Sequence, residues 1–438
     1  MDPTTPPPRT TWAHRVLGLD QGELVRVLTA TLCGFCLFAG YSVLKPLRDA
    51  ISATQGKEWV AGLTTYTFLT LLAVTALTGL LVSKLSWKAF VLLAQLTWIL
   101  GAVAFGLLFA REGALNSKEL DGCFFVAISV FNLLSLSILW ATLSDIFRAD
   151  QAKRAFPLIG IGLSLGGIAG PLIVNSLVKQ LAQHQFIFIA AGLIFVSAAC
   201  LAWLLRFAPP RARHGTPGGS LSEMVEGVRA VFASRYLLTL CAFMFLYTVT
   251  GTLVYMQQVG IINASIAGLE KAAARTASTA ITSRIDLYAN ILAAALQLIV
   301  AGRVLRWIGV AATLTITPLT TLSAIGLLAL SPTVAMLVIV QVARRGLHYA
   351  LDKPAREVLY TVVSPAERYK SKGFIDSFVY RFGDLVGVWS EQGFGKLGES
   401  SPLAPFASAG ILCFLFGGIG MSLGRQFRAK ESDATGSR

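Results

Sequence analysis

The chain has 438 residues, 55% of them hydrophobic and 14% charged, with a mean hydropathy of +0.66, where an average soluble domain is about 25% charged. That composition excludes an ordinary soluble protein: apolar runs of about 20 residues, enough to cross roughly 30 Å of hydrocarbon as helix, recur along the whole length. The net charge of +14 is spread over short loops instead of forming one basic patch, which fits membrane topology and excludes nucleic acid as the partner.

Residues 1–23, opening MDPTTPPPRTTWAHR, are Pro-rich and polar. They read as a disordered lead-in and lack the apolar core and cleavage site of a signal peptide. Twelve membrane helices are predicted, at 24–44, 60–82, 88–110, 122–146, 155–178, 186–207, 236–260, 285–304, 309–330, 333–355, 372–394 and 404–424, an all-α polytopic protein. The first ends in GYSVLKPLRDAIS, where Lys45 and Arg48 share a face and Pro46 frees backbone carbonyls at membrane depth. Two readings stand there: an anion-binding mouth, or side chains snorkelling to the outer interface with Asp49 neutralising one of them.

On the fifth helix Gly162, Gly166 and Gly170 form a row of small residues spaced for close helix packing. The sequence GLSLG within it mimics a hydrolase GxSxG, but a membrane helix is the wrong setting for that turn. Residues 208–235 form a polar linker whose second part carries apolar positions at helical spacing (Leu221, Val225, Val228, Val231), predicting an amphipathic helix on the membrane surface. A second amphipathic piece, 264–283, is expected on the opposite side. The eighth helix then places Arg284, Asp286 and Asn290 at its outer start.

The densest ionisable stretch runs from Arg344 to Gly387. Arg344 falls about 16 Å into the tenth helix, near mid-membrane, and Arg345 lies about 100° round from it. Two buried arginines without partners cost roughly 5 to 7 kcal/mol, so they face acids, water or an anion. One reading is a closed packing network with Asp376 or Asp384 of the next helix. The other is an anion site. Arg381 and Asp384, one turn apart, are placed to pair with each other. Tyr41, Tyr247, Tyr255 and Tyr380 either stack on a ligand ring or simply pack.

Motifs for other classes fail. The four histidines are scattered, no Walker A or HExxH is present, and no metal, cofactor or enzymatic chemistry is indicated. The six cysteines lie in or beside apolar segments and behave as small hydrophobes.

Basic residues concentrate in the loops after even-numbered helices, for example Arg148, Lys153 and Arg154, or Lys353, Arg356, Arg368 and Lys370. The positive-inside rule then puts those loops and both termini, including a polar tail over 425–438, in the cytoplasm. The halves 24–207 and 236–424 repeat one another: 149–170 and 366–387 align at an offset of 217, matching Gly166 with Gly383 and Gly170 with Gly387. Twelve helices in two six-helix pseudo-repeats are the major facilitator-like arrangement, with a solute site at the midplane.

The runs GYSVLKPLRDAI, ILWATLSDIFRADQAKRAF and LDKPAREVLYTVVSPAERYKSKGFID resemble the ATP/ADP translocase family of bacteria and plastids, and more closely its bacterial facilitator-type branch. The likeness spans about 25–395. It implies exchange of nucleotides or similar phosphorylated anions by alternating access. Lys45 and Arg48 match its phosphate-gripping positions; Asp286, Glu357, Lys370, Lys372, Gly373 and Asp376 match further positions. Two positions differ: Asp384 follows Gly383 where the exchangers carry a basic residue, and Asn132 stands where the fourth helix has an acid.

The expectation is therefore an inner-membrane transporter, monomeric, with a small anionic substrate, a nucleotide among the candidates. Lys45, Arg48, Arg344, Arg345, Arg381 and Tyr41 are the candidate binding residues; Asp286, Asp376, Asp384, Asp352, Glu357 and Lys370 are the candidate coupling and gating residues. Two alternatives stand beside it: a proton-coupled carrier of another organic solute, with Asp376, Asp384 or Asp286 titrating, and a membrane sensor or scaffold that transports nothing.

Overall fold

The computed structural model describes residues 21–111, 113, 117–208, 221–301, 307–398 and 404–436. The expected lead-in up to residue 20 and the Pro/Gly-rich part of the linker lie outside the described residues. Twelve long helices are numbered in chain order: α1 Gln21–Gln55, α2 Lys57–Lys84, α3 Trp87–Phe109, α4 Lys118–Ile146, α5 Ala149–Leu177, α6 Gln183–Leu204, α7 Arg235–Ser265, α8 Lys271–Leu296 and α9 Gly309–Leu330. Next, α10 starts at Val334 and continues through a π-helical turn, His348–Asp352, to Val362. α11 starts at Pro365, passes a π-turn at Ile375–Val379 and ends at Gly398; α12 is Ala404–Gly436. A shorter helix, Leu221–Ala233, packs on the start of α11.

Ten of the described helices are long and apolar enough to cross a membrane, so the protein is a multi-pass membrane protein. α8 and α11 miss that measure because their inward faces are polar. In α8, Ser278, Thr279, Thr282, Ser283 and Asp286 are all buried, and the hydroxyls of Thr282 and Ser283 bond carbonyls one turn back. The stretch 264–283 is therefore no surface helix: from Lys271 it is the first half of α8, inside the bundle. Small Ala, Ser and Thr side chains let neighbouring backbones approach, and in a helix packed on both sides the polar face reads as amphipathic although it meets protein. Helix ends also differ from expectation: α1 extends eleven residues past 44 to Gln55, and α12 carries the polar tail as helix to Gly436.

α1 packs on α5 and α6, and α3 on α6; in the second half α7 packs on α11 and α12, and α9 on α12. The glycine rows explain the two closest pairs. Gly166 and Gly170 of α5 lie against Phe35, Ala39 and Ser42 of α1, while Gly383 and Gly387 of α11 lie against Phe245, Val249 and Thr252 of α7. Phe35 to Phe245 and Ser42 to Thr252 are both 210 positions apart, so one helix crossing occurs twice. At Gly383 a Cβ would overlap the Thr248 side chain, whereas at Gly373 it would meet open space. Gly383→Val is accordingly expected to cost roughly 1–3 kcal/mol by overpacking and to lower the melting temperature of the detergent-solubilised protein, with Gly373→Ala leaving it in place.

The halves are tied together at the end of the bundle formed by the α1–α2 and α7–α8 turns. Arg275 of α8 pairs with the fully buried Asp121 of α4 and donates to Gln183 at 2.9 Å. Lys57 pairs with Glu391, Asn263 donates to the carbonyl of Ala53 at 2.7 Å, and Trp389 donates to Thr65 at 3.2 Å.

Candidate functional site

Below that seal, between the halves, lies a cavity of about 240 Å³. α1, α2 and α4 line it from one side, with Lys45, Arg48, Thr64, Phe125 and Ser129; α7, α10 and α11 line it from the other, with Tyr255, Arg344, Arg345, His348, Tyr380, Arg381 and Asp384. Because α1 runs on to Gln55, Lys45 and Arg48 sit within the bundle and not at its rim. Pro46 stays inside an unbroken helix, and its carbonyl accepts from Thr282 at 3.0 Å.

Each cation has a defined environment. Lys45 is 2.5 Å from Asp286 and 3.4 Å from Asp49. Arg48 donates to Asp49 at 2.7 Å and lies over the ring of Phe125 at 5.4 Å. Arg345 donates to Asp286 at 2.6 Å and to Gln258 at 3.1 Å. Arg381 is 3.4 Å from Asp384, which also accepts from Thr252 at 3.1 Å. Arg344 is the exception: its side chain donates to Gln341 at 3.2 Å, its Nε has no partner, and among the described residues it forms no ion pair.

Five basic side chains thus line the cavity against three carboxylates, Asp49, Asp286 and Asp384, leaving two positive charges over. Buried charge without a counter-charge is costly in a medium of low polarity. An anion entering the cavity would supply that counter-charge, and the guanidinium fork of Arg344 can hold a carboxylate or phosphate bidentately.

Several sequence expectations are relocated. Asp286 lies sixteenth in α8, deep in the bundle and bonded to both Lys45 and Arg345, because the helix begins at Lys271 and not near 285. The anticipated pairing of Arg344 or Arg345 with Asp376 or Asp384 does not occur, since α8 reaches Arg345 first. Tyr41 is buried between Phe38 and Phe131, with ring centroids 5.7 and 6.4 Å away, and does not line the cavity. Asp376 is exposed. Glu357 pairs with Lys372 at 2.5 Å near the α10–α11 turn, away from the cavity. Asp352 is buried beside His348 and Arg356. Lys370 is on α11, but its side chain lies outside the described residues.

Thr252, Tyr349 and His348 also line the cavity, and Gln258 and Gln341 bond its arginines from behind; no motif marks any of them. The available signal was the presence of polar side chains inside otherwise apolar spans.

No family model matches the chain, and no curated protein matches it by sequence. The arrangement of the helices is that of the major facilitator-like fold. Solved structures similar to it include the nucleoside transporter NupG, with a TM-score of 0.59 and 16% identity over 94% of this chain and 99% of that one. The POT family transporter PepTSo matches with a TM-score of 0.61 and 14% identity over 95% and 99%. The human organic anion transporter MFSD10 matches with a TM-score of 0.56 and 14% identity over 93% and 100%. At these identities the likeness shows the fold.

Proposed function

We propose that this protein is a membrane transporter that moves an organic anion, of the phosphorylated or nucleotide-like class, by alternating access of its two halves. The observation that carries this reading is Arg344, a guanidinium facing the cavity with no ion-pair partner among the described residues, in a lining with two positive charges in excess. A static packing network would close its charges; this one is left open by the charge of a solute. The transporters among the similar structures support transport in general, and the likeness to the ATP/ADP translocases supports exchange of one anion for another. The cavity volume of about 240 Å³ is at or below the lower end of the ~300–1,000 Å³ typical of ligand pockets, which favours a compact phosphorylated solute over a nucleoside triphosphate. Asp384, standing where the exchangers have a cation, argues the same way. The distribution of basic loops supports an inner-membrane location with cytoplasmic termini.

The test is uptake into proteoliposomes preloaded with nucleotides, phosphate esters or dicarboxylates. Uptake of a labelled phosphorylated anion is expected to need an internal counter-anion and to fall when Arg48→Ala is introduced. Failure of every anion in the panel, alongside uptake of a neutral solute, would overturn the proposal.

A further inference from the structure

At the α10 side of the cavity lies a group that the anion reading does not use. His348 lines the cavity, is 9% exposed, and stacks on Tyr247 of α7 with centroids 4.7 Å apart. Its Nε2 is 2.9 Å from the Tyr247 hydroxyl, and its Nδ1 is 3.0 Å from Oδ2 of Asp352, which is 1% exposed. Arg356 brings Nε within 3.2 Å of the same oxygen and holds its guanidinium 4.8 Å above the Tyr247 ring. The approaches to Asp352 are close but not linear, so neither Nδ1 of His348 nor either Asp352 oxygen has a well-directed hydrogen bond from those two residues. All of this is built on the π-turn His348–Asp352. Such turns widen a helix locally and recur at functional positions. The carbonyl of Tyr349 in this turn accepts from Gln297, just past the end of α8, at 2.9 Å.

We propose that His348, oriented by Asp352, is a proton-binding site whose occupancy is coupled to the anion in the cavity. The inference rests on the anion-transporter reading and adds the coupling ion. With a neutral imidazole, Nδ1–H faces the carboxylate, Nε2 accepts from Tyr247, and the charges of Asp352 and Arg356 cancel. A proton reaching Nε2 from the cavity converts the ring to imidazolium, with the Tyr247 hydroxyl turning to accept. No other bond changes. The imidazolium adds one positive charge to a wall that already has two in excess, so proton and anion each favour the other's binding, by the reciprocity of linked equilibria. Histidine is the side chain best suited to change charge near neutral pH.

The groups facing His348 oppose and support this in a definite way. Arg344 and Arg356 on its own helix repel an imidazolium, and Asp352 attracts it. Tyr247 from α7 and Tyr380 from α11 present phenols, and Thr317 from α9 contacts Asp352. An anion bound to Arg344 offsets one of the opposing charges. Loading thus raises the ring's affinity for a proton without being required for it.

The experiment needs no solute. Proteoliposomes of the full-length protein on a solid-supported membrane are given a pH jump, and the charge displaced by proton binding is recorded. Wild type should give a transient current and His348→Gln should lose it. Asp352→Asn, which removes the carboxylate favouring the charged ring, should need a lower pH to displace the same charge. Persistence of the wild-type transient in His348→Gln, its loss in Asp384→Asn instead, or no transient in wild type would overturn the proposal. If His348→Gln does not fold, judged by its elution and melting profile, Asp352→Asn decides alone, an unchanged pH response counting against the proposal. A negative result leaves anion uptake by preloaded vesicles unaffected, so the two readings fail separately.

Discussion

Arg344→Gln is expected to weaken anion binding at least tenfold while leaving the fold intact or slightly more stable. The reason is the asymmetry of its surroundings: the side chain bonds to Gln341 and, among the described residues, forms no ion pair, so its removal strands no buried acid. A hydrogen bond to a charged group contributes about 1.5–3 kcal/mol, and tenfold in affinity corresponds to about 1.4 kcal/mol. Loss of Arg344 should therefore weaken binding by roughly ten- to more than a hundredfold. Arg344→Lys should recover little, because an ammonium lacks the planar fork. Arg345→Gln provides the contrast. It removes one of the two cations on Asp286, at 2.6 Å, leaving Lys45 alone to neutralise it, and should lower the melting temperature. The measurements are binding of a labelled phosphorylated anion and thermal unfolding of the same preparations. Intact transport in Arg344→Gln together with a destabilisation like that of Arg345→Gln would make Arg344 a packing residue.

The second large effect is expected at the seal. Asp121 is fully buried and Arg275 is 7% exposed; the pair joins α4 of one half to α8 of the other. Arg275→Ala leaves a carboxylate buried without its cation, a change that costs about 3–5 kcal/mol. The double variant Arg275→Gln with Asp121→Asn removes both charges and should recover most of that stability. It should not recover the seal. With one buried cross-half ion pair gone, and the Lys57–Glu391 pair, the Asn263 and Trp389 bonds and the apolar packing of Val60 and Ala61 on Met256, Val259 and Val388 left there, the population should shift toward a state open at that end. A cysteine introduced at Ser129, which lines the cavity, reports this in a background where the exposed Cys123 is replaced. Maleimide added on the seal side should label it faster in the double variant than in the parent. Equal labelling would mean that the pair stabilises the fold without governing access.

The helical membrane character, the repeat of the two halves and the concentration of charge at Arg344–Asp384 are legible from residues alone. Each is cumulative or local: twenty apolar residues in a row leave few options in a bilayer, and glycines four apart make a flat helix face whatever they meet. The repeat at 149–170 and 366–387 corresponds in the structure to two equivalent crossings, α5 on α1 and α11 on α7. What could not be read was how the charges pair. Lys45, Asp286 and Arg345 come from three helices separated by 241 and 59 residues, and their meeting depends on the depth and rotation of each helix.

Residue pattern alone establishes the class of molecule and the order of its long helices, because hydrophobic length and small-residue spacing act within a single helix. It takes the packing of the helices to show that 264–283 runs into α8, that Tyr41 packs away from the cavity, that Asp286 is claimed by Lys45 and Arg345, and that His348 meets Tyr247 and Asp352. The physical reason is the same in each case. A charge or hydroxyl at membrane depth must find a partner across a helix interface, and one residue of shift along a helix turns the side chain by about 100°, enough to exchange one partner for another or to leave, as at Arg344, none.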